Sequence, residues 1–451
     1  MTPYERASRE AARRVEVMPA EIGDWVAAAE DNLNGLGIHS SQLAAVKQLL
    51  EILVKKQRDA LEGRPAAGAT TDYAEAELEL TAELVGAHEL WNAFRTAFEQ
   101  RRQPNLVRAL DGADLVAASA YTLAMDRAAE WEVVQKGDRR APPLVCTEAL
   151  DSPVTVARGK QFSGLTSTIV RYREKLLPIP LVLFPADRLE NIWTQSTLMH
   201  EVGHDLDAEL SFASEAIKAA LKKVPAASRD QWQAWGDEIV ADAVGVALGG
   251  AGFAVTLADW LLSVALAKQY AAPADSPHPP PHVRVRLLAA LLDASGIALW
   301  QPIAASLLAD IEAVPAPAWQ APFAAQAAKI AQAVMTTSLT ALNDHAIRDL
   351  DKDLEVNAAR TAELGEYFRV PFVQPPPGGP PPFPTRLVPS AAALTARSAA
   401  TVEKLANIAE NALDYIHLIP RPEFLEGPPP GQLDYLRKLA EDLDVRQPVT
   451  S

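Results

Sequence analysis

The segment at positions 200–204 is His-Glu-Val-Gly-His. On an α-helix, His200 and His204 lie one turn apart on the same face, so both imidazoles can reach one metal ion. Glu201 directly follows the first histidine and points beside such an ion, where a general base for the reacting water is needed. The spacing therefore predicts a zinc site with an adjacent base.

A third metal ligand must come from another part of the chain. The best candidate is Glu238, which would complete a His₂Glu site with an open fourth position for water. Asp242 lies one helical turn further and can accept the free ring N–H of a ligating histidine, which would fix its tautomer. Asp237 is turned about 100° around the helix from Glu238, so we rank it a weaker ligand.

The elements that must position these residues can also be predicted. From Asp187 to Thr197 the pattern favours a helix that Asp187 caps, leading into the histidine motif. Three short apolar segments predict strands at 144–146, 154–156 and 180–184. We therefore expect a mainly α protein with a small β-sheet just before the metal-binding helix.

The segment at positions 276–286 is Ser-Pro-His-Pro-Pro-Pro-His-Val-Arg-Val-Arg. It places His278-Pro279 after the Glu238 motif, with Arg284 five residues beyond the proline. The order His-Glu-x-x-His, Glu-x-x-Ala-Asp, His-Pro and Arg resembles the gluzincin metallopeptidases. It is most similar to the branch of the CaaX prenyl proteases and their soluble bacterial relatives, over about Ile179 to Leu288.

This resemblance implies a zincin-like catalytic core and a set of residue roles. The implied zinc ligands are His200, His204 and Glu238, with Glu201 as the general base. His278 and Arg284 would border the substrate. The chain departs from the membrane members of the branch because it shows no set of spanning helices.

The group that stabilises the transition state has three candidates. His278 is the first choice, His282 the alternative and Tyr270 a distant third. Arg284 would either bind a substrate carboxylate or backbone, or pair with a buried acid and brace the fold.

These observations favour a zinc-dependent metallopeptidase, an endopeptidase acting on a peptide or protein. A first alternative is a regulatory protease of narrow specificity that resembles the ImmA/IrrE group. A second is a catalytically idle, zinc-stabilised scaffold that binds a regulatory protein partner through its helical flanks.

Composition limits the remaining functional classes. The chain has 451 residues and a net charge of −16, which argues against nonspecific binding to nucleic acid. Cys146 is the single cysteine, so we expect no internal disulfide and a cytoplasmic location. The apolar run from Ala243 to Ala258 falls short of about 18 residues, so a buried helix is expected rather than a membrane span.

The flanks predict further helices but no second catalytic motif. Pro19 fits the first position of a helix, and the acidic stretch at 343–368 predicts a solvated helix that includes Asp351. The proline-rich segment Pro371 to Pro384 predicts an extended linker. The expected units are an N-terminal helical domain, a zincin-like catalytic domain, a helical extension, the linker and a C-terminal helical segment, at 1–140, 141–300, 301–370, 371–389 and 390–451.

Overall fold

The computed structural model describes residues 3–31, 39–62, 70–135, 140–156, 177–268, 276–369 and 383–419. The α-helices in these ranges are α1, Pro3–Asp31; α2, Ser40–Glu62; α3, Thr70–Glu99; α4, Val107–Glu130; α5, Leu198–Leu210; α6, Ala213–Leu221; α7, Arg229–Ala234; α8, Gly236–Lys268; α9, Pro281–Ala294; α10, Gln301–Glu312; α11, Ala321–Ala324; α12, Ala327–Thr336; α13, Leu354–Phe368; α14, Leu387–Ala396; and α15, Val402–Leu418. The strands are β1, Leu144–Glu148; β2, Val154–Val156; and β3, Leu181–Pro185. The prediction of a mainly α fold with a small sheet is confirmed.

The three strands form one mixed sheet in the order β1-β3-β2. The central strand β3 is buried along its length; it pairs in parallel with β1 and antiparallel with β2. Side chains alternate across this sheet, so each face meets a different core. Leu181 and Leu183 pack with α1, α2 and α3, whereas Val182 and Phe184 join the large core around α5 and α8. The sheet thus connects the N-terminal helices to the core around α5 and α8.

The predicted helix from Asp187 to Thr197 is wrong. Two short 3₁₀ segments, Ala186–Arg188 and Ile192–Thr197, occupy this stretch, and the side chain of Asp187 caps neither. Side chains here donate hydrogen bonds to backbone carbonyls that would accept from backbone N–H groups in an α-helix. Thr194 Oγ1 donates to Arg188 O at 2.6 Å. Gln195 Nε2 likewise donates to Leu189 O at 2.9 Å. The α-helix begins only at Leu198, two residues before the first histidine.

Helices α5 and α8 pack directly against each other. Gly203 allows this close approach, because a Cβ there would lie only 3.0 Å from the Cα of Ala241 and would press the two helices apart. Part of α8, Gly236–Leu266, is long and apolar enough to cross a membrane, since its most apolar 18 residues have a mean hydropathy of 1.7. These residues are 100% buried inside the protein. The prediction that the Ala243 to Ala258 run forms a buried helix is therefore confirmed. Helical geometry within α8 is interrupted at Gly250.

Helix α14 lies against α8 just beyond this interruption. A Cβ at Gly252 would overlap the backbone of Ser390, and Ser390 Oγ donates to Gly249 O at 2.6 Å. Arg386 is buried and pairs with Asp351 at 2.7 Å while also donating to the carbonyl of Leu248. The C-terminal helices are therefore attached to the core around α8 by both close packing and a buried charge pair.

Two further predictions about the flanks are wrong. Asp351 is only 3% exposed, since it pairs with Arg386 instead of facing solvent, and the helix of this stretch begins later, at Leu354. Pro19 lies inside α1 and not at a helix start, because the helix already begins at Pro3.

Several predicted features lie outside the described residues. Most of the linker at 371–389 falls in the undescribed range 370–382, and the end of the expected C-terminal helical segment falls in 420–451. The domain boundaries stay a prediction.

The contact between α14 and α8 generates a stability prediction. Gly252→Ala should lower the free energy of unfolding by about 1–3 kcal/mol, because the added methyl group must displace the Ser390 backbone. Gly23→Ala is the matched control, since nothing lies within 4 Å of a Cβ there; it should be neutral or stabilising by up to about 1 kcal/mol. Chemical denaturation of both variants measures the difference, and equal effects would contradict the described packing.

Candidate metal centre

Three side chains from two helices converge at the α5–α8 contact. His200 and His204 come from α5, and their Nε2 atoms are 3.1 Å apart. Glu238, in the first turn of α8, places Oε2 3.4 Å from His200 Nε2 and Oε1 3.5 Å from His204 Nε2. These ligand atoms form a group compact enough to hold a single ion.

The spacing of these atoms fits a tetrahedral zinc ion. Zinc binds imidazole nitrogen and carboxylate oxygen at about 2.0–2.1 Å, which places two tetrahedral ligand atoms about 3.3 Å apart. The N–N separation of 3.1 Å lies close to that value, as do the N–O separations of 3.4 and 3.5 Å, which join His200 to Oε2 and His204 to Oε1 of Glu238. Glu238 Oε2 is buried and accepts no hydrogen bond from the described residues. The donor set and its geometry therefore fit zinc.

Asp242 lies behind the first ligand. Its side chain has 0% exposure, and Oδ1 is 2.8 Å from Nδ1 of His200. This contact directs Nε2 of His200 towards His204 and Glu238. Burial disfavours protonation of His200, but its contacts with the carboxylates of Asp242 and Glu238 outweigh this effect and raise the pKa of His200 to about 10. The surroundings of this imidazole therefore favour a positive charge at its position.

Arg284, from α9, compensates the carboxylates. Its Nε and Nη2 both lie 2.8 Å from the two oxygens of Asp242, and Nη2 lies 3.2 Å from Glu238 Oε2. Burial acts to raise the pKa of Asp242, but the charge of Arg284 and the hydrogen bond to His200 hold it below its usual value. Of the two roles considered for Arg284, this geometry matches the brace between buried acids. Substrate binding by Arg284 stays a prediction.

Glu201 points into the adjoining cavity and is held from the opposite side by the sheet. Its Oε2 accepts a hydrogen bond from Thr155 Oγ1 at 2.7 Å, and the same hydroxyl lies 3.0 Å from the backbone carbonyl of Glu201. Thr155 belongs to β2, so a strand residue orients the carboxylate next to the metal ligands. The sequence pattern predicted this strand but not the contact of Thr155 with Glu201. A polar residue between Val154 and Val156 was the available signal.

The two histidines of the proline-rich turn have different positions. His278 Nε2 is 3.4 Å from Glu238 Oε2, and its side chain is 56% exposed. His282 Nε2 instead lies 3.0 Å from the carbonyl of Pro315, within the packing of α9. His278 is therefore the histidine that faces the candidate metal centre. Tyr270 lies outside the described residues.

A cavity of about 560 Å³ is lined by two of the three candidate ligands, His200 and Glu238, and by Glu201. Much of its wall is apolar and comes from segments far apart in the sequence. Six of these wall residues are Trp193, Val255, Leu257, Trp260, Ala396 and Leu405. The sequence did not predict that these residues share a wall, because no short-range pattern relates α8 to the C-terminal helices.

The described residues contain a second cluster with metal-ligand chemistry, made of His39, Asp111 and Asp114. A protein cation already occupies this cluster. Arg101 pairs with Asp114 at 2.6 Å and donates through Nε to His39 Nε2 at 3.1 Å. We interpret the cluster as a buried structural charge network between α4 and the sheet.

Comparisons with protein-family models, curated proteins and solved structures give no match for this chain. The resemblance to the gluzincins therefore depends on the motifs of the sequence and stays a prediction. The chemistry of the site must be inferred from its own geometry.

The ligand geometry predicts stoichiometric zinc that depends on Glu238. Glu238→Ala should weaken zinc binding by more than about 100-fold, because one of three protein ligands is lost. Asp237→Ala is the matched control, since this exposed carboxylate precedes Glu238 on the same helix and should leave zinc content unchanged. Elemental analysis and competition with a chelator measure the effect. Equal zinc content in Glu238→Ala and Asp237→Ala would place the third ligand elsewhere.

Proposed function

We propose that this protein is a zinc-dependent peptidase that hydrolyses peptide bonds with Glu201 as general base. The observation that supports the proposal best is the 3.1–3.5 Å spacing of the candidate ligand atoms of His200, His204 and Glu238, a group of which His200 and Glu238 line a cavity. The proposal adds Glu201 because its carboxylate lines that cavity and follows a ligand directly in the sequence.

The proposed reaction divides the work between the metal and the protein. A bound zinc ion would lower the pKa of a water molecule and polarise the carbonyl of the scissile bond. Glu201 would accept the proton of the attacking water and return it to the leaving amine. The hydrogen bond from Thr155 would hold the Glu201 carboxylate in one orientation through both transfers.

Two further elements would position the substrate. His278 is exposed and close to Glu238, so its imidazole would donate a hydrogen bond to the oxygen that develops negative charge. Strand β2 contacts α5, and among the described residues it pairs only with β3. An extended peptide would add to the other side of β2, which would bring its backbone past Glu201.

The role of Glu201 has a direct test. Glu201→Gln should abolish detectable hydrolysis and retain stoichiometric zinc, because the amide cannot accept the proton of water but the three ligands are intact. Glu190→Gln, an exposed carboxylate outside the cavity, is the control and should retain full activity. Hydrolysis of a peptide library by the purified, zinc-loaded proteins is the measurement.

Two outcomes would remove the proposal. Hydrolysis retained in Glu201→Gln would exclude Glu201 as the base. A different result would favour the idle scaffold: the wild type binds zinc and cleaves no peptide, and a protein partner binds equally to the wild type and to Glu201→Gln. Cleavage confined to one regulatory protein would support the narrow-specificity alternative.

The Thr155 contact generates a separate kinetic prediction. Thr155→Val should lower kcat by about 10-fold with little change in KM or zinc content, because Glu201 loses its orienting donor. Thr155→Ser keeps the hydroxyl and should recover most of the rate. Thr147→Val, on β1 of the same sheet, controls for loss of a strand hydroxyl away from the cavity. Equal rates in Thr155→Val and Thr155→Ser would show that the hydroxyl has no part in catalysis.

A further inference from the structure

Three guanidinium groups line the cavity among the described residues, those of Arg188, Arg284 and Arg397. Two of them are engaged by carboxylates. Arg284 pairs with Asp242 and Glu238, as described above. Arg397 pairs with Asp259 at 3.1 Å and also with Asp310. These two cations are therefore neutralised by the protein itself.

Arg188 has a different environment. It follows β3 in the first 3₁₀ segment and is partly buried at the cavity wall. Its guanidinium lies over the ring of Trp260, 5.6 Å from the centroid, and it forms no ion pair with a carboxylate of the described residues. Stacking uses the face of a guanidinium and leaves the N–H groups at its edge available.

The surroundings of Arg188 indicate the ligand that it would bind. A planar guanidinium binds a carboxylate through two parallel hydrogen bonds, and these charge-assisted bonds are strongest where water is partly excluded. Trp260 and Trp193 line the same cavity and offer apolar surface to a neighbouring side chain. The cavity also has acidic groups, among them Asp187 and Asp259, and the protein has a net charge of −16. Within these negatively charged surroundings, Arg188 provides a local site for an anion.

We propose that Arg188 determines specificity by binding a carboxylate of the substrate. The substrate would be a peptide with an apolar side chain, packed against Trp193 and Trp260, close to that carboxylate. The identity of the ligand as a peptide rests on the proposed function. The carboxylate would be either the C-terminus of the peptide or an acidic side chain, because both present the same two oxygens to the guanidinium.

Binding to the zinc-loaded Glu201→Gln variant tests the proposal without requiring turnover. The probes are acetyl-Ala-Ala-Phe-Leu-Ala with a free C-terminus, the same peptide as its amide, and an amide with Glu as the last residue. Calorimetry should give at least about 10-fold tighter binding for one or both anionic peptides than for the neutral amide. The free acid and the Glu-containing amide distinguish the two sources of the carboxylate.

Substitutions then assign the effect to Arg188. In the same background, Arg188→Gln should remove the preference for the anionic peptides and leave binding of the neutral amide unchanged, whereas Arg188→Lys should retain part of it. Arg286→Gln is the control, because Arg286 lies outside the cavity and pairs with Glu312. Equal binding of all three peptides, or equal loss for all three in Arg188→Gln, would overturn the proposal.

Parallel hydrolysis assays separate this inference from the proposed function. Carboxylate-dependent binding without cleavage by the wild type would remove the peptidase and keep the anion site at Arg188. Cleavage by the wild type that ignores the carboxylate would keep the peptidase and overturn the role of Arg188.

Discussion

The candidate centre depends on a carboxylate buried without solvent contact. Asp242 accepts from His200 on one side and from Arg284 on the other, each at 2.8 Å. A buried charge of this kind is costly unless it is paired and hydrogen-bonded, so α5, α8 and α9 must meet in one arrangement to satisfy it. The same arrangement places Glu238 opposite both histidines. The requirement to neutralise Asp242 therefore fixes the geometry of the ligands above it.

Much of this arrangement could be predicted from local periodicity. Residues four apart on a helix share a face, which is sufficient to bring His200 next to His204 and to place Asp242 one turn below Glu238. The strands could be predicted because each is a short apolar segment between turn residues. The roles of these residues in catalysis stay predictions, since spacing reports position and not turnover.

The remainder depends on contacts that no short window of sequence contains. The helix expected before the histidine motif is replaced by 3₁₀ turns, because the side chains of Thr194 and Gln195 hydrogen-bond to its carbonyls. The hydroxyl of Thr155 acts on Glu201 across a strand–helix contact, and Arg188 meets Trp260 only after α8 has packed. Asp351 was predicted to be solvated, because its partner, Arg386, lies beyond the proline-rich segment and outside any short window around Asp351. Propensity and periodicity describe one element at a time, and these contacts each join two.

The position of α14 has a consequence for the order in which the site is completed. The histidines and Glu238 come from the middle of the chain, but Ala396 and Leu405 close the wall of the same cavity. During synthesis, the ligands are present long before the helices that enclose the space beside them. The residues of the candidate metal centre are therefore made before the C-terminal helices, and the wall of the cavity is complete only after those helices have docked. The order of synthesis thus separates formation of the candidate centre from enclosure of the cavity beside it.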